Sequence, residues 1–134
     1  MPERNIDWMR PWFNQRVERW WASTKLAYEV YPQLVELSAA QVGAALLAFV
    51  GYLPGVQILP LDNKYRTYPK EVWERIIQDD ETNQAMGWAE WMDCDDYALR
   101  FKSNGSIWYN ATAVALVKDD SSGHAYNAII FADG

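Results

Sequence analysis

Apolar side chains recur at helical spacing from Pro11 to Tyr28, where Phe13, Val17, Trp20, Trp21 and Tyr28 are interleaved with Arg16, Glu18 and Arg19. That spacing predicts an amphipathic helix ending before Pro32. Ser38-Ala-Ala-Gln41 is a capping box, in which each side chain bonds the other's backbone N–H, and it predicts a second helix. Val42, Leu46, Phe49 and Val50 leave that helix apolar on most sides, so it is expected to be largely buried. Gly51 and Pro54-Gly55 close it. Val56–Leu59 reads as a short strand. Pro69 then suits the first residue of a third helix with the apolar stripe Val72, Trp73, Ile76 and Ile77.

A polar, acidic stretch follows to about Met92. Asp93 is placed to N-cap a fourth helix, about 94–103, with Cys94, Tyr97, Ala98 and Phe101 on one face. Asn104-Gly105 supplies its left-handed stop. Ile107 to Val117 reads as a strand, Asp119 to Gly123 as a turn, and His124 to Phe131 as the returning strand. Asp133-Gly134 is a further hairpin signal. The expected class is α+β: an N-terminal helical segment, 1–55, then a domain, 56–134, in which a helix packs on an antiparallel β-hairpin. That domain is expected to end one strand early.

The chain has 134 residues, half of them hydrophobic, enough for one domain with a core of its own. Its one Cys excludes an internal disulfide and a multi-Cys zinc site, and its one His excludes two-His metal motifs. The net charge is −6, and residues 79–96 carry seven acids and no Lys or Arg. Such a surface repels phosphate backbones, so nucleic acid is not an expected partner. It suits a divalent cation, a basic partner, or plain solubility. The longest apolar run, Val42 to Leu53, spans 12 residues, too few to cross a bilayer. No secretory signal is visible, and the expected compartment is the cytoplasm. The N-terminal helix combines Trp8, Trp12, Trp20 and Trp21 with Arg4, Arg10, Arg16, Arg19 and Lys25, a composition known from membrane-surface helices. Asp7, Glu18 and Glu29 dilute its basic face, and packing on the rest of the chain is the favoured reading.

The candidate chemistry centres on Cys94 and His124. A thiol in the first turn of a helix meets unpaired N–H groups and the macrodipole, which favour the thiolate. An imidazole on an adjacent strand can take the thiol proton and later protonate a leaving group. Asp93, Asp95 and Asp96 flank the thiol and push the other way by like-charge repulsion. Two resolutions exist: Asp93 and Asp96 are spent on capping, or Ca²⁺ sits on Asp95 and Asp96 and cancels the field. An oxyanion hole would draw on the Cys94 backbone N–H and one of Trp91, Asn110 or Asn127.

Asp93-Cys94-Asp95-Asp96-Tyr97-Ala98, followed by Gly123-His124-Ala125-Tyr126-Asn127, resembles the paired motifs of transglutaminase-like and papain-like cysteine hydrolases. The nearest likeness is to small phage-encoded and bacterial proteins and to the papain-like domain of some fungal chimerolectins, over roughly residues 62–134. The resemblance implies Cys94 as nucleophile, His124 as base, Asp95 and Asp96 as calcium ligands, and a protein or peptide substrate. It also implies a location in a virion if the protein is phage-encoded. The family's next strand bears the acid that orients the His. Here Asn127 and Asp133 are the local candidates for that role, or another chain supplies the strand. The competing expectation is a non-catalytic, acidic binding or structural module on the same scaffold, as in a phage particle.

Overall fold

The computed structural model describes residues 10–50, 57–80, 94–119 and 123–133, without the side chains at 10–13, 15, 16, 94 and 95. The elements are α1 (Arg10–Val30), a 3-10 turn (Tyr31–Gln33), β1 (Val35–Ser38), α2 (Ala39–Val50), β2 (Lys64–Thr67), α3 (Lys70–Asp79), α4 (Cys94–Tyr109), β3 (Val114–Asp119) and β4 (His124–Ile129). The class is α+β, with two antiparallel two-stranded sheets, β1–β2 and β3–β4.

The capping box forms as its spacing requires. Ser38 N–H donates to Gln41 Oε1 (2.8 Å) and Gln41 N–H to Ser38 Oγ (3.1 Å), so α2 begins one residue after Ser38. The helix it opens is not largely buried. Val42 is its one buried residue, and Phe49 is 70% exposed. The reason is the width of its partner: α2 lies against the β1–β2 ribbon, and two strands can cover only one side of a helix. Gly51 and Pro54-Gly55 lie outside the described residues.

Residues 57–60 form no strand; the second partner of the ribbon is β2 instead. Its alternation buries Tyr65 and Thr67 and turns Lys64 outward. Leu37 pairs with Tyr65, and the Tyr65 hydroxyl accepts the backbone N–H groups of Leu61 and Asp62 (3.0 and 3.2 Å). This ribbon joins a strand from within 1–55 to one from within 56–134.

The fourth helix runs past Asn104-Gly105 to Tyr109, so Ile107–Tyr109 are helical and β3 starts only at Val114. Packing overrides both the strand preference of Ile107-Trp108-Tyr109 and the stop signal. A Cβ at Gly105 would stand 3.2 Å from the Ala111 carbonyl oxygen and 3.8 Å from Trp73, so glycine serves there to let other groups approach closely. The left-handed residue is Asn110, at φ 56°, and Ala111 N–H closes back on the Gly105 carbonyl (2.9 Å). The hairpin turn is as expected at its edges: Gly123 has φ 70° and donates its N–H to Asp119 (2.9 Å).

The core lies where α3, α4 and the C-terminal part of α1 meet. Trp73 and Tyr68 are fully buried, with Val30, Val72, Ile76, Tyr109 and Val114 around them. The docked face of α1 is Ser23, Leu26, Ala27 and Val30, whereas Val17, Trp20, Trp21 and Tyr28 are half-exposed or more. The two sheets are tied through 110–113 and 130–132. Thr112 and Ala113 N–H donate to the Arg66 carbonyl, Ile130 N–H to Ala113, and Ala132 N–H to Tyr68.

Candidate functional site

Cys94 is the first residue of α4 and His124 the first of β4. One side-chain bond fixes how these elements run. Asn127 Nδ2 donates to the Ala98 carbonyl in α4 (2.9 Å) and reaches the Ala115 carbonyl in β3 (3.4 Å). Further along α4, Gly105 abuts Val114 and Lys102 Nζ donates to the Val114 carbonyl. Val114 is the β3 partner of Ile129. Residues 98 to 105 of α4 therefore follow residues 127 to 129 of β4 in the same direction. Stepping back from that contact, Cys94 lies about 6 Å up the helix and His124 about 10 Å up the strand. The helix tip and the strand start share one end of the α4–hairpin unit.

The face matters as much as the end. Asn127 and Ile129 point at α4 and the core. Side chains alternate along a strand, so His124, three positions before Asn127, stands on the opposite face of the ribbon. It is exposed. Directly across from it in the register is Asp119, whose Cβ such a pair brings within about 5 Å. In the sequence Asp119 reads as a turn residue, so its place across the register from His124 is not evident there. The signal that could reveal it is the spacing Asp119-(four residues)-His124, the length of a hairpin closure.

The remaining candidates divide. Asp133 follows the far end of β4, since its neighbour Ala132 bonds to Tyr68, and it is not brought to His124. Asn127 is held against α4 and does not face His124. Asn110 is excluded as an oxyanion donor for Cys94, because the 16-residue α4 puts it about 24 Å from the tip. Trp91 and Asp93 lie outside the described residues. Asp96 is exposed on the first turn of α4. No group of three or more His, Cys, Asp or Glu among the described residues is arranged to hold a metal ion. The side chain of Asp95, the other expected calcium ligand, lies outside the described residues.

A second cluster joins α1, α3 and α4, and no local pattern announces it. Asp79, the last residue of α3, accepts the Ser23 hydroxyl (2.8 Å) and the Tyr109 hydroxyl on one oxygen. Arg19 stands 3.7 Å from the other. Beside it Asn104 Nδ2 donates to Asp80 (2.9 Å). These groups line a cleft of about 320 Å³ together with Trp20, Arg100 and Trp108. The partners are 56 and 30 positions apart in sequence, which is why periodicity cannot find them.

Burial raises the Tyr109 phenol well above the ordinary tyrosine range, with the Asp79 hydrogen bond adding to the effect. Burial likewise pushes Tyr68 up to about 12, assisted by Tyr31; Tyr68 donates its own O–H to the Tyr109 carbonyl (2.8 Å). Lys102 is shifted down by burial, against the pull of Asp62. Both phenols are favoured neutral in the folded chain. Their stabilisation is therefore complete below pH 10.0, the unfolded value, and is lost as pH rises towards about 12. We expect stability to fall by up to about 1.4 kcal/mol per pH unit per tyrosine in that window. Urea titrations at stepped pH measure it, with tyrosinate absorbance recorded in parallel. Ionisation of all eight tyrosines near pH 10 with the fold intact would contradict this.

No helix among the described residues is long and apolar enough to cross a membrane. No protein-family model, curated protein or solved structure matches the chain.

Proposed function

We propose that the chain is a cysteine-dependent hydrolase or acyltransferase acting on amide bonds of proteins or peptides, of the papain-like and transglutaminase-like kind it resembles. The observation that carries this reading is that α4, opening on Cys94, and β4, opening on His124, begin at the same end of the unit they form. His124 takes the Cys94 proton as the sulfur attacks the amide carbonyl. The tetrahedral oxyanion collapses to a thioester as the C–N bond breaks, and the departing amine receives that proton from His124. Water or a second amine then attacks the thioester, giving up a proton to His124, and the thiol leaves. Asp119, opposite His124, is the residue suited to orient the imidazole, in place of the acid that the family carries on its following strand.

A second reading rests on the alternation along β4, which turns Asn127 and not His124 towards α4. It makes the chain a non-catalytic acidic binding or structural module. Incubation with casein and a fluorescent primary amine separates the two. The first reading expects casein to be cleaved or labelled, and Cys94→Ala to reduce the rate by about 10²-fold or more. Equal, background rates for both proteins would remove it and leave the second.

A further inference from the structure

Asn127 ties together the two elements that carry Cys94 and His124. It stands three residues after His124 on β4, and its Nδ2 donates to the carbonyl of Ala98, four residues after Cys94 on α4 (2.9 Å). The same nitrogen reaches the Ala115 carbonyl of β3 (3.4 Å). A carboxamide nitrogen carries two N–H donors, so one side chain spans the helix and both strands of the hairpin. In an α-helix the N–H of Ala98 closes on the Cys94 carbonyl. The residue that Asn127 grips is therefore one hydrogen bond from the residue that opens α4. Ala98 is buried, and its small side chain lets the strand approach.

The backbone of α4 does not need this bond. Inside the helix the Ala98 carbonyl already takes the Lys102 N–H, and Asn127 is only half-buried. What the bond fixes is how far α4 is slid along β4. That offset governs the site. Alternation turns His124 away from α4, so the sulfur and the imidazole can meet only across the shared end of the unit.

We propose that Asn127 is a positioning residue for the Cys94–His124 pair, holding the tip of α4 level with the start of β4. This role presupposes the cysteine chemistry proposed above. Asn127 acts through α4 and not on the imidazole. A misplacement of about 1 Å between reacting groups costs up to about 10²-fold in rate. Lys102 offers a comparison, since its Nζ ties α4 to the Val114 carbonyl, but one turn further from the tip.

The test is the rate of alkylation of Cys94, the chain's one cysteine, by iodoacetamide at pH 6, with circular dichroism recorded on each variant. Asn127→Ala and Asn127→Ser, both too short to reach Ala98, are expected to lower the rate at least about fivefold and bring it towards that of His124→Ala. Asn127→Gln keeps the donor on a longer arm and is expected to recover most of the loss. Lys102→Met removes the tie further from the tip and is expected to leave the rate unchanged. With casein as substrate, Asn127→Ala is expected to lower kcat and leave KM as it was, because the residue is placed to position the pair and not to bind. Fast alkylation of the unaltered chain that both short variants retain overturns the positioning role alone. So does an equal loss in Lys102→Met, or a change confined to KM. Alkylation of the unaltered chain no faster than free cysteine removes the cysteine reading itself, and this role with it.

Discussion

Trp73→Ala is expected to lower the stability of the protein by about 3–5 kcal/mol, the cost of emptying a large core site. The indole is fully buried, makes an edge contact with Tyr68 and leans on Phe101, each at a centroid distance of 6.4 Å. It also carries a polar relay. Trp73 Nε1–H donates to Thr67 Oγ1 (2.9 Å), and Thr67 donates in turn to the Ile130 carbonyl (2.5 Å). That relay ties α3 to β2 and to the residue after β4, so the loss is felt by both sheets. Trp73→Phe keeps an aromatic ring and removes the N–H, leaving Thr67 Oγ1 short of a donor, and is expected to cost about 1–3 kcal/mol. Urea unfolding, with an unchanged dependence on denaturant, is the measurement. An Ala variant within about 0.5 kcal/mol of the original chain would contradict the placement of the core.

Much of the fold was legible because its signals are local. Ser38 and Gln41 sit three positions apart and bond as the capping box requires. The stripe Val72, Trp73, Ile76 needs only the helical period, though Ile77 beside it is 42% exposed. The hairpin closing on Gly123 follows from one residue able to take positive φ. Where reading failed, a distant contact decided the outcome. Asn104-Gly105 looks like a stop, but the backbone of Ala111 and the ring of Trp73 need a side-chain-free position in mid-helix. Val35–Ser38 and Lys64–Thr67 pair across a connection that contains α2, and neither strand has enough apolar alternation to be recognised alone. The apolar look of α2 predicted burial that a two-stranded ribbon cannot provide.

The candidate site was legible in its parts and not in their orientation. Both motif residues open their elements, as the flanking turn signals imply. Which face of β4 meets α4 depends on register, and a one-residue shift turns every side chain over. The sequence offers nothing to choose between those registers. Asn127 settles it by bonding to Ala98, and the same register brings Asp119 across from His124. The Ser23–Asp79–Tyr109 cluster is the opposite case: three unremarkable residues from three helices, each a routine surface choice in its own stretch, that acquire meaning only once α1 docks.

The second large effect expected is on the thiol itself. An ordinary cysteine, with a pKa near 8.5, is only about 0.3% thiolate at pH 6. In the proposed reading, a helix N-terminus and an imidazole within reach of the sulfur raise that fraction many-fold. His124 is exposed, so His124→Ala removes the partner at little expected cost to stability. The most direct test is the rate of alkylation of Cys94 by iodoacetamide at pH 6, in the original chain and in His124→Ala, against free cysteine. The account expects Cys94 to react at least about tenfold faster than free cysteine, and His124→Ala to remove that advantage. Alkylation no faster than free cysteine, unaltered by His124→Ala, would contradict it.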